Sequence, residues 1–164
     1  MRQIFESANI SFVEVSEALI QDYLVMVNDL ENVEKYLGGP HDSYTEEQEI
    51  GWVRKQHEEK AVVFSMIEKK SGDFIGNIEL MDVKDAAGEL GIAITAAKQN
   101  LGYGKEAIAA ITEYGMDRLG LTRIFLRVFP ENLRAIHVYE KCGFREYDRT
   151  EKDVYMVLTR QSFQ

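Results

Sequence analysis

Apolar positions along the chain follow two rhythms. Six short runs alternate or concentrate apolar residues as strands do: Asn9–Val15, Ala61–Lys69, Asp73–Val83, Glu89–Thr95, Arg123–Phe129 and Asp153–Thr159. The second and third are separated by Lys-Lys-Ser-Gly-Asp, a hairpin signal. Other stretches carry helical spacing. Ser16 is placed to cap Glu17–Asn28, and Thr45-Glu46-Glu47-Gln48 forms a capping box that opens a helix running to about Lys60. Lys105–Leu119 brings Ile108, Ile111, Tyr114 and Leu119 toward one face and stops at Gly120. Leu133–Cys142 groups Ala135, Val138 and Cys142 and stops at Gly143.

The resulting order is strand, two helices, an antiparallel meander of three strands, helix, strand, helix, strand. It predicts an α+β fold on a mixed sheet. No repeat, low-complexity tract or Pro/Gly/Ser linker divides the chain, so residues 1–164 are expected to form one domain. The longest irregular stretch, residues 31–43, is a candidate binding loop or lid and carries Glu31, Glu34, Tyr36 and Asp42.

Composition narrows the function. With 45% hydrophobic residues, the chain can bury a substantial core. The first 15 residues lack a basic region followed by an apolar one, and nowhere do 18 apolar residues run together. A secretory signal, a membrane span and a membrane partner are therefore not expected, and a cytoplasmic location is. Cys142 is the lone cysteine, and His41, His57 and His137 show no metal-ligand spacing, so no metal is expected. A net charge of −9 argues against nucleic acid as a partner. The charge is uneven, since residues 98–145 sum to +3 and leave −12 to the rest. An anionic ligand in the carboxy-terminal part with a cationic co-substrate would fit this split, as would an unevenly charged solvated surface.

Candidate chemistry concentrates at Ala96–Ile111, where a strand ends, the chain turns on Gly102 and Gly104, and a helix begins. Such a turn presents unpaired backbone N–H groups where the helix dipole is positive, which suits a phosphate; Lys98 and Lys105 flank it. The dinucleotide spacing G-x-G-x-x-G is broken by Ala107, and no G-K-[ST] follows. On the residues alone, a simple tight turn stands beside an anion site.

Two runs carry a family resemblance. Gln99-Asn100-Leu101-Gly102-Tyr103-Gly104 resembles the Q/R-x-x-G-x-G/A signature of the GNAT superfamily, the GCN5-related N-acetyltransferases. The run from Asn132 through Ala135, Tyr139, Gly143 and Phe144 is similar to its N-x-x-A-x-x-x-Y-x-x-x-G-F. The order of elements extends the resemblance over nearly the whole chain. It is nearest to the branch of ribosomal-protein N-terminal acetyltransferases and spermidine acetyltransferases.

The resemblance implies a mainly antiparallel mixed sheet with splayed central strands flanked by helices, and acetyl-CoA as co-substrate. Gln99, Asn100, Leu101, Gly102, Tyr103, Gly104 and Lys105 would hold its pyrophosphate. The pantetheine arm would lie between the strands of Gly91–Ile94 and Leu126–Phe129, against Ile92, Ala93 and Ile94, with Asn132 and Ala135 completing the cofactor set. Asn132 is also a natural N-cap. Tyr139 would protonate the leaving thiolate. Glu89, at the start of the central strand, and Glu79, on the preceding hairpin, are candidates to deprotonate the amine directly or through water; some relatives carry a glutamate where Arg127 stands here, a departure that counts against a direct base. Cys142 as nucleophile is a weaker alternative, having no base nearby in sequence.

The implied function is acetyl-CoA-dependent transfer to a primary amine, namely a polyamine, a small amine or a protein N-terminus, by direct attack in a ternary complex. The alternatives are a non-catalytic CoA-binding sensor and a nucleotide-binding protein using the same loop. Analogy with the family suggests a homodimer.

Overall fold

The computed structural model describes residues 1–33 and 41–163. Glu34 and Tyr36 lie outside the described residues. One sheet contains β1 (Gln3–Glu6), β2 (Ile10–Glu14), β3 (Val62–Glu68), β4 (Phe74–Lys84), β5 (Ala87–Ile94), β6 (Arg123–Val128), β7 (Arg145–Arg149) and β8 (Val154–Thr159). Their spatial order is 1-2-3-4-5-6-8-7. Strands β1 to β5 form an antiparallel meander, β5 meets β6 in parallel, and β6, β8 and β7 are again antiparallel. The helices are α1 (Ile20–Val27), α2 (Glu46–Glu58), α3 (Tyr103–Arg118) and α4 (Leu133–Lys141), with a closing helical turn at Arg160–Phe163.

The local signals act as their chemistry dictates. Ser16 Oγ accepts from the Ala18 amide and starts a 3₁₀ turn, Glu17–Leu19, that leads into α1. Thr45 Oγ1 accepts from the Gln48 amide at 3.2 Å while Gln48 Oε1 accepts from the Thr45 amide at 2.8 Å, closing the capping box. Gly72, at φ +78°, turns the β3–β4 hairpin. Leu119 departs from its expected place on the buried face of α3: the helix ends at Arg118, and Leu119 is exposed at the cap.

Strands β1 and β7 escape the apolar pattern. Strand β1 has four residues with exposed ends, and every position of β7, Arg-Glu-Tyr-Asp-Arg, is exposed. Both are edge strands, formed by pairing with a neighbour and not by their own alternation.

Helices cover the sheet on both faces. Between the sheet and α3 and α4, Phe12, Met66, Ile78, Leu80 and Leu90 pack with Ile108 and Ile111 of α3; on the other face Val13, Val63 and Phe74 pack with Tyr23 of α1 and Val53 of α2. Helix α3 sits close because Gly115 has no side chain: a Cβ there would be 3.1 Å from Leu80 Cδ1 and 3.2 Å from Leu121 Cδ1. On the other face a buried polar chain ties α1 to the sheet. The Ser16 amide donates to Tyr23 Oη, which meets Ser65 Oγ at 2.6 Å, and Ser65 donates to Asn77 Oδ1 at 2.7 Å.

The central strands part as expected. Strand β5 is paired with β6 only at Ala87–Arg123, Gly88–Ile124 and Glu89–Phe125, so Leu90–Ile94 and Leu126–Val128 run on without each other.

Candidate active site

The turn after β5 is held in a defined shape. Gln99 Nε2 donates to the Ile94 carbonyl at 2.9 Å and to the Asn32 carbonyl at 2.8 Å. Asn100 has φ +66°, and Gly102, the N-cap of α3, has φ +87°. Two left-handed residues bend the chain sharply, and glycine is the residue that tolerates this without strain. Leu101 and Lys105 are exposed, and Tyr103 is buried with its hydroxyl on Glu68. Gly104 has ordinary clearance, since a Cβ would lie 3.5 Å from Ile94 Cδ1. Lys98 does not offer its charge to the turn: its ammonium lies 3.0 Å from Asp73 Oδ2 and 3.4 Å from Glu68 Oε1.

The gap between β5 and β6 exposes backbone groups in a predictable order. The Thr95 amide donates to the Ile75 carbonyl of β4. In the antiparallel register, Ala93 opposite Asn77 and Gly91 opposite Glu79 also turn their backbone groups toward β4. By alternation, Ile92 and Ile94 turn theirs toward the gap, where β6 has already diverged. Gln99 takes the Ile94 carbonyl, which leaves the Ile94 amide and both backbone groups of Ile92 without a ladder partner. Ala93 lies between them and packs against the cluster under α1 and α2.

Beyond β6, Asn132 Oδ1 accepts from the Ala135 amide at 3.2 Å and caps α4, leaving its NH₂ free of that bond. Ala135 and Tyr139 are half-buried against the core on the α3 side, where the Tyr139 ring meets Phe144 edge-on at 6.0 Å. Burial pushes the Tyr139 phenol up to about 12, and its hydroxyl has no hydrogen bond among the described residues. The Cys142 thiol is also pushed up by burial, the opposite of an activated nucleophile.

Glu79 and Glu89 occupy the other face. Glu79 opposes Gly91, and Met81 opposes Glu89, so both carboxylates project with Val63 toward the α1 and α2 side. Gly91 clears room for Glu79: a Cβ at Gly91 would sit 3.5 Å from Glu79 Oε1. Glu79 lines a groove of about 420 Å³ with Trp52, Gln56, Glu59 and Lys60. Asp82 also borders a second hollow of about 330 Å³, with Glu89, Phe125, Arg127, Tyr147 and Tyr155. The two glutamates differ in company. Glu89 pairs with Arg127 at 3.8 Å, whereas burial, aided by the charge of Glu89, raises the Glu79 carboxyl above its ordinary range.

Sequence reasoning passed over Glu68 and Glu106. Glu68 is a carboxylate closing an otherwise apolar run just before a hairpin, which was the available signal. Nothing in the sequence points from Glu106 to Ser7 and Asn9, its partners about a hundred positions away.

Comparison with known proteins agrees with this geometry. The model of the acetyltransferase (GNAT) domain matches residues 10–145, so the chain belongs to that family. An N-acetyltransferase of Bacillus subtilis, YnaD, is 34% identical over 115 residues, covering 70% of this chain and 66% of that protein. The spermidine N(1)-acetyltransferase of Vibrio cholerae is 30% identical over 109 residues, 65% of this chain and 62% of its own length. The matched stretch thus spans slightly less than two thirds of these relatives. Among solved structures, the V. cholerae spermidine N-acetyltransferase in complex with CoA and spermine superposes with a TM-score of 0.85 at 19% identity, covering 96% of this chain and 99% of that one. A GNAT-family acetyltransferase from Bacillus anthracis gives 0.83 at 22% identity, covering 95% and 98%.

Proposed function

We propose that the protein transfers acetyl from acetyl-CoA to a primary amine by direct attack within a ternary complex. The divergence of β5 from β6 carries this reading, because it opens the sheet beside a glycine turn, leaves the Ile92 and Ile94 amides facing the gap, and lies between Tyr139 on one face and Glu79 on the other. The diphosphate of the cofactor is received by the amides of residues 100–104 at the N-terminus of α3, the Gln99 amide being taken by the Ala96 carbonyl. The pantetheine arm runs along Ile92 and Ile94 as a strand would, with Asn132 and Ala135 beyond it. The amine approaches from the groove bordered by Glu79 and Asp82. The relatives named for spermidine acetylation, together with the acids of this groove, support a cationic acceptor.

The roles follow from electrostatics. An alkylammonium near pKa 10.4 must lose a proton before it can attack the thioester carbonyl. Glu79, with a raised pKa and no ion-pair partner among the described residues, is better suited as that base than Glu89, which is occupied by Arg127. A backbone amide near Ile92 polarises the carbonyl oxygen as the nitrogen–carbon bond forms. The carbon–sulfur bond then breaks and the sulfur leaves with the electron pair. Burial raises the Tyr139 phenol well above an alkyl thiol near 8.5, so complete proton transfer from Tyr139 to the sulfur is disfavoured. Tyr139 therefore donates a hydrogen bond to the departing sulfur, and the final proton comes from the positively charged product nitrogen or solvent.

Release of free thiol from acetyl-CoA, measured across polyamines, aminoglycosides and N-terminal peptides, tests the reading. Acetylation of at least one class is expected. CoA binding without release for every amine would instead support a sensor.

A further inference from the structure

The turn that would receive the diphosphate is anchored at both ends to one buried carboxylate. Glu68, at the end of β3, is 3% exposed. Its Oε1 accepts from Ser71 Oγ at 2.5 Å and from Lys98 Nζ at 3.4 Å, and its Oε2 accepts from the Tyr103 hydroxyl. Lys98 immediately precedes the turn and Tyr103 is the first residue of α3 after it. Only residues 99–102 separate the two anchors, and two of these, Asn100 and Gly102, have positive φ. A short segment pinned at both ends is ordered before any ligand arrives, which removes the conformational cost of ordering it on binding.

The charge arrangement fits positioning and not direct contact. A carboxylate facing a diphosphate would repel it, but Glu68 is buried and matched by Lys98, whose side chain is only 16% exposed. Hydrogen bonds from Ser71 first, then from Tyr103 and Lys98, hold the Glu68 carboxyl down to about 2. At neutral pH it is therefore ionised, and its bonds are charge-assisted. The first turn of α3 has a separate clamp. Glu106 accepts from Ser7 Oγ at 2.5 Å and from the amide and side chain of Asn9, both at 2.8 Å, and so its side chain ties the helix to the β1–β2 turn and not to residues 99–102.

We propose that Glu68 is the positioning residue of the cofactor turn: through Lys98 and Tyr103 it sets the orientation of the backbone amides of residues 100–104 that receive the diphosphate of coenzyme A. The proposal rests on the acetyl-CoA reading above. Glu106 provides the comparison, since it offers a half-buried carboxylate clamp on the same helix whose side-chain bonds bypass the turn.

Calorimetric CoA binding and steady-state kinetics on the full chain decide it. Glu68→Gln and Tyr103→Phe should each raise the Kd for CoA and the KM for acetyl-CoA at least tenfold, with kcat at saturating acetyl-CoA within twofold of wild type. Glu106→Gln should lower Tm while leaving that Kd unchanged. The proposal is overturned if Glu68→Gln and Tyr103→Phe bind CoA as wild type does, or if Glu106→Gln weakens binding equally for the same loss of Tm. Should Glu68→Gln not fold, Tyr103→Phe and Lys98→Met, which keep the carboxylate, decide by the same criterion. Wild-type protein that binds no CoA would overturn the acetyltransferase reading, and this proposal with it.

Discussion

Glu68 and Glu79 sit on neighbouring strands and face opposite sides of the sheet, and their surroundings shift their carboxyls in opposite directions. Glu68 is surrounded by donors and held down to about 2. Glu79 is desolvated, faces Glu89, and has no hydrogen bond among the described residues, so it is raised. Their contributions to stability therefore have opposite signs. The bonds of Glu68 stabilise the fold above the ordinary carboxyl value of 4.5 and are lost as pH falls through about 2. Burial of Glu79 favours its neutral form, so the stability it contributes is present below 4.5 and is lost as pH rises through its elevated pKa. A carboxylate with all its partners holds geometry; one kept short of partners is available for proton transfer. The cofactor side of the molecule has the first character and the acceptor side the second.

The division is tested most severely by Glu79→Gln. A base should contribute about 10²- to 10⁴-fold, so kcat/KM should fall by that much at neutral pH while the Kd for CoA stays as in wild type. Parallel loss of CoA binding would erase the distinction between the two sides. Tyr139→Phe, which removes one hydrogen-bond donor to developing charge, should lower kcat about 10²-fold, with affinity for acetyl-CoA again unchanged; weakened binding would make the hydroxyl structural.

Smaller effects concern the backbone. A Cβ on Gly76 would sit 2.0 Å from the Ala93 carbonyl oxygen, so Gly76→Ala should destabilise by about 2 kcal/mol in urea titration as β4 and β5 are forced apart. Gly102→Ala meets open space but a φ of +87°, and should cost about 1 kcal/mol. The smallest expected change is in pH dependence. Glu79→Gln should flatten the decline in stability above pH 4.5 expected of wild type, leaving the acid limb set by Glu68 in place.

Legibility in the sequence followed the same division. Gly102 and Gly104, the capping box at Thr45 and the N-cap at Asn132 are local devices whose chemistry is complete within a few residues, and all could be placed from the chain. The paired edge strands β1 and β7 could not, because their residues alternate weakly and their order comes from neighbours. Lys98 looked like a phosphate ligand by its position beside the turn, yet it is drawn to Glu68 and Asp73, thirty and twenty-five residues earlier. Glu79 and Glu89 were indistinguishable as residues of one meander. Only packing separates them, by giving one an arginine and the other a groove.

The early parting of β5 and β6 also makes the sheet its own reporter. The Ile92 and Ile94 amides have no ladder partner on the β6 side, so solvent deuterium should replace their protons quickly in free protein. A thioester arm bonded along that edge would act as an inserted strand and slow the replacement at these two positions, while Ala93, already turned toward β4, would keep its own rate.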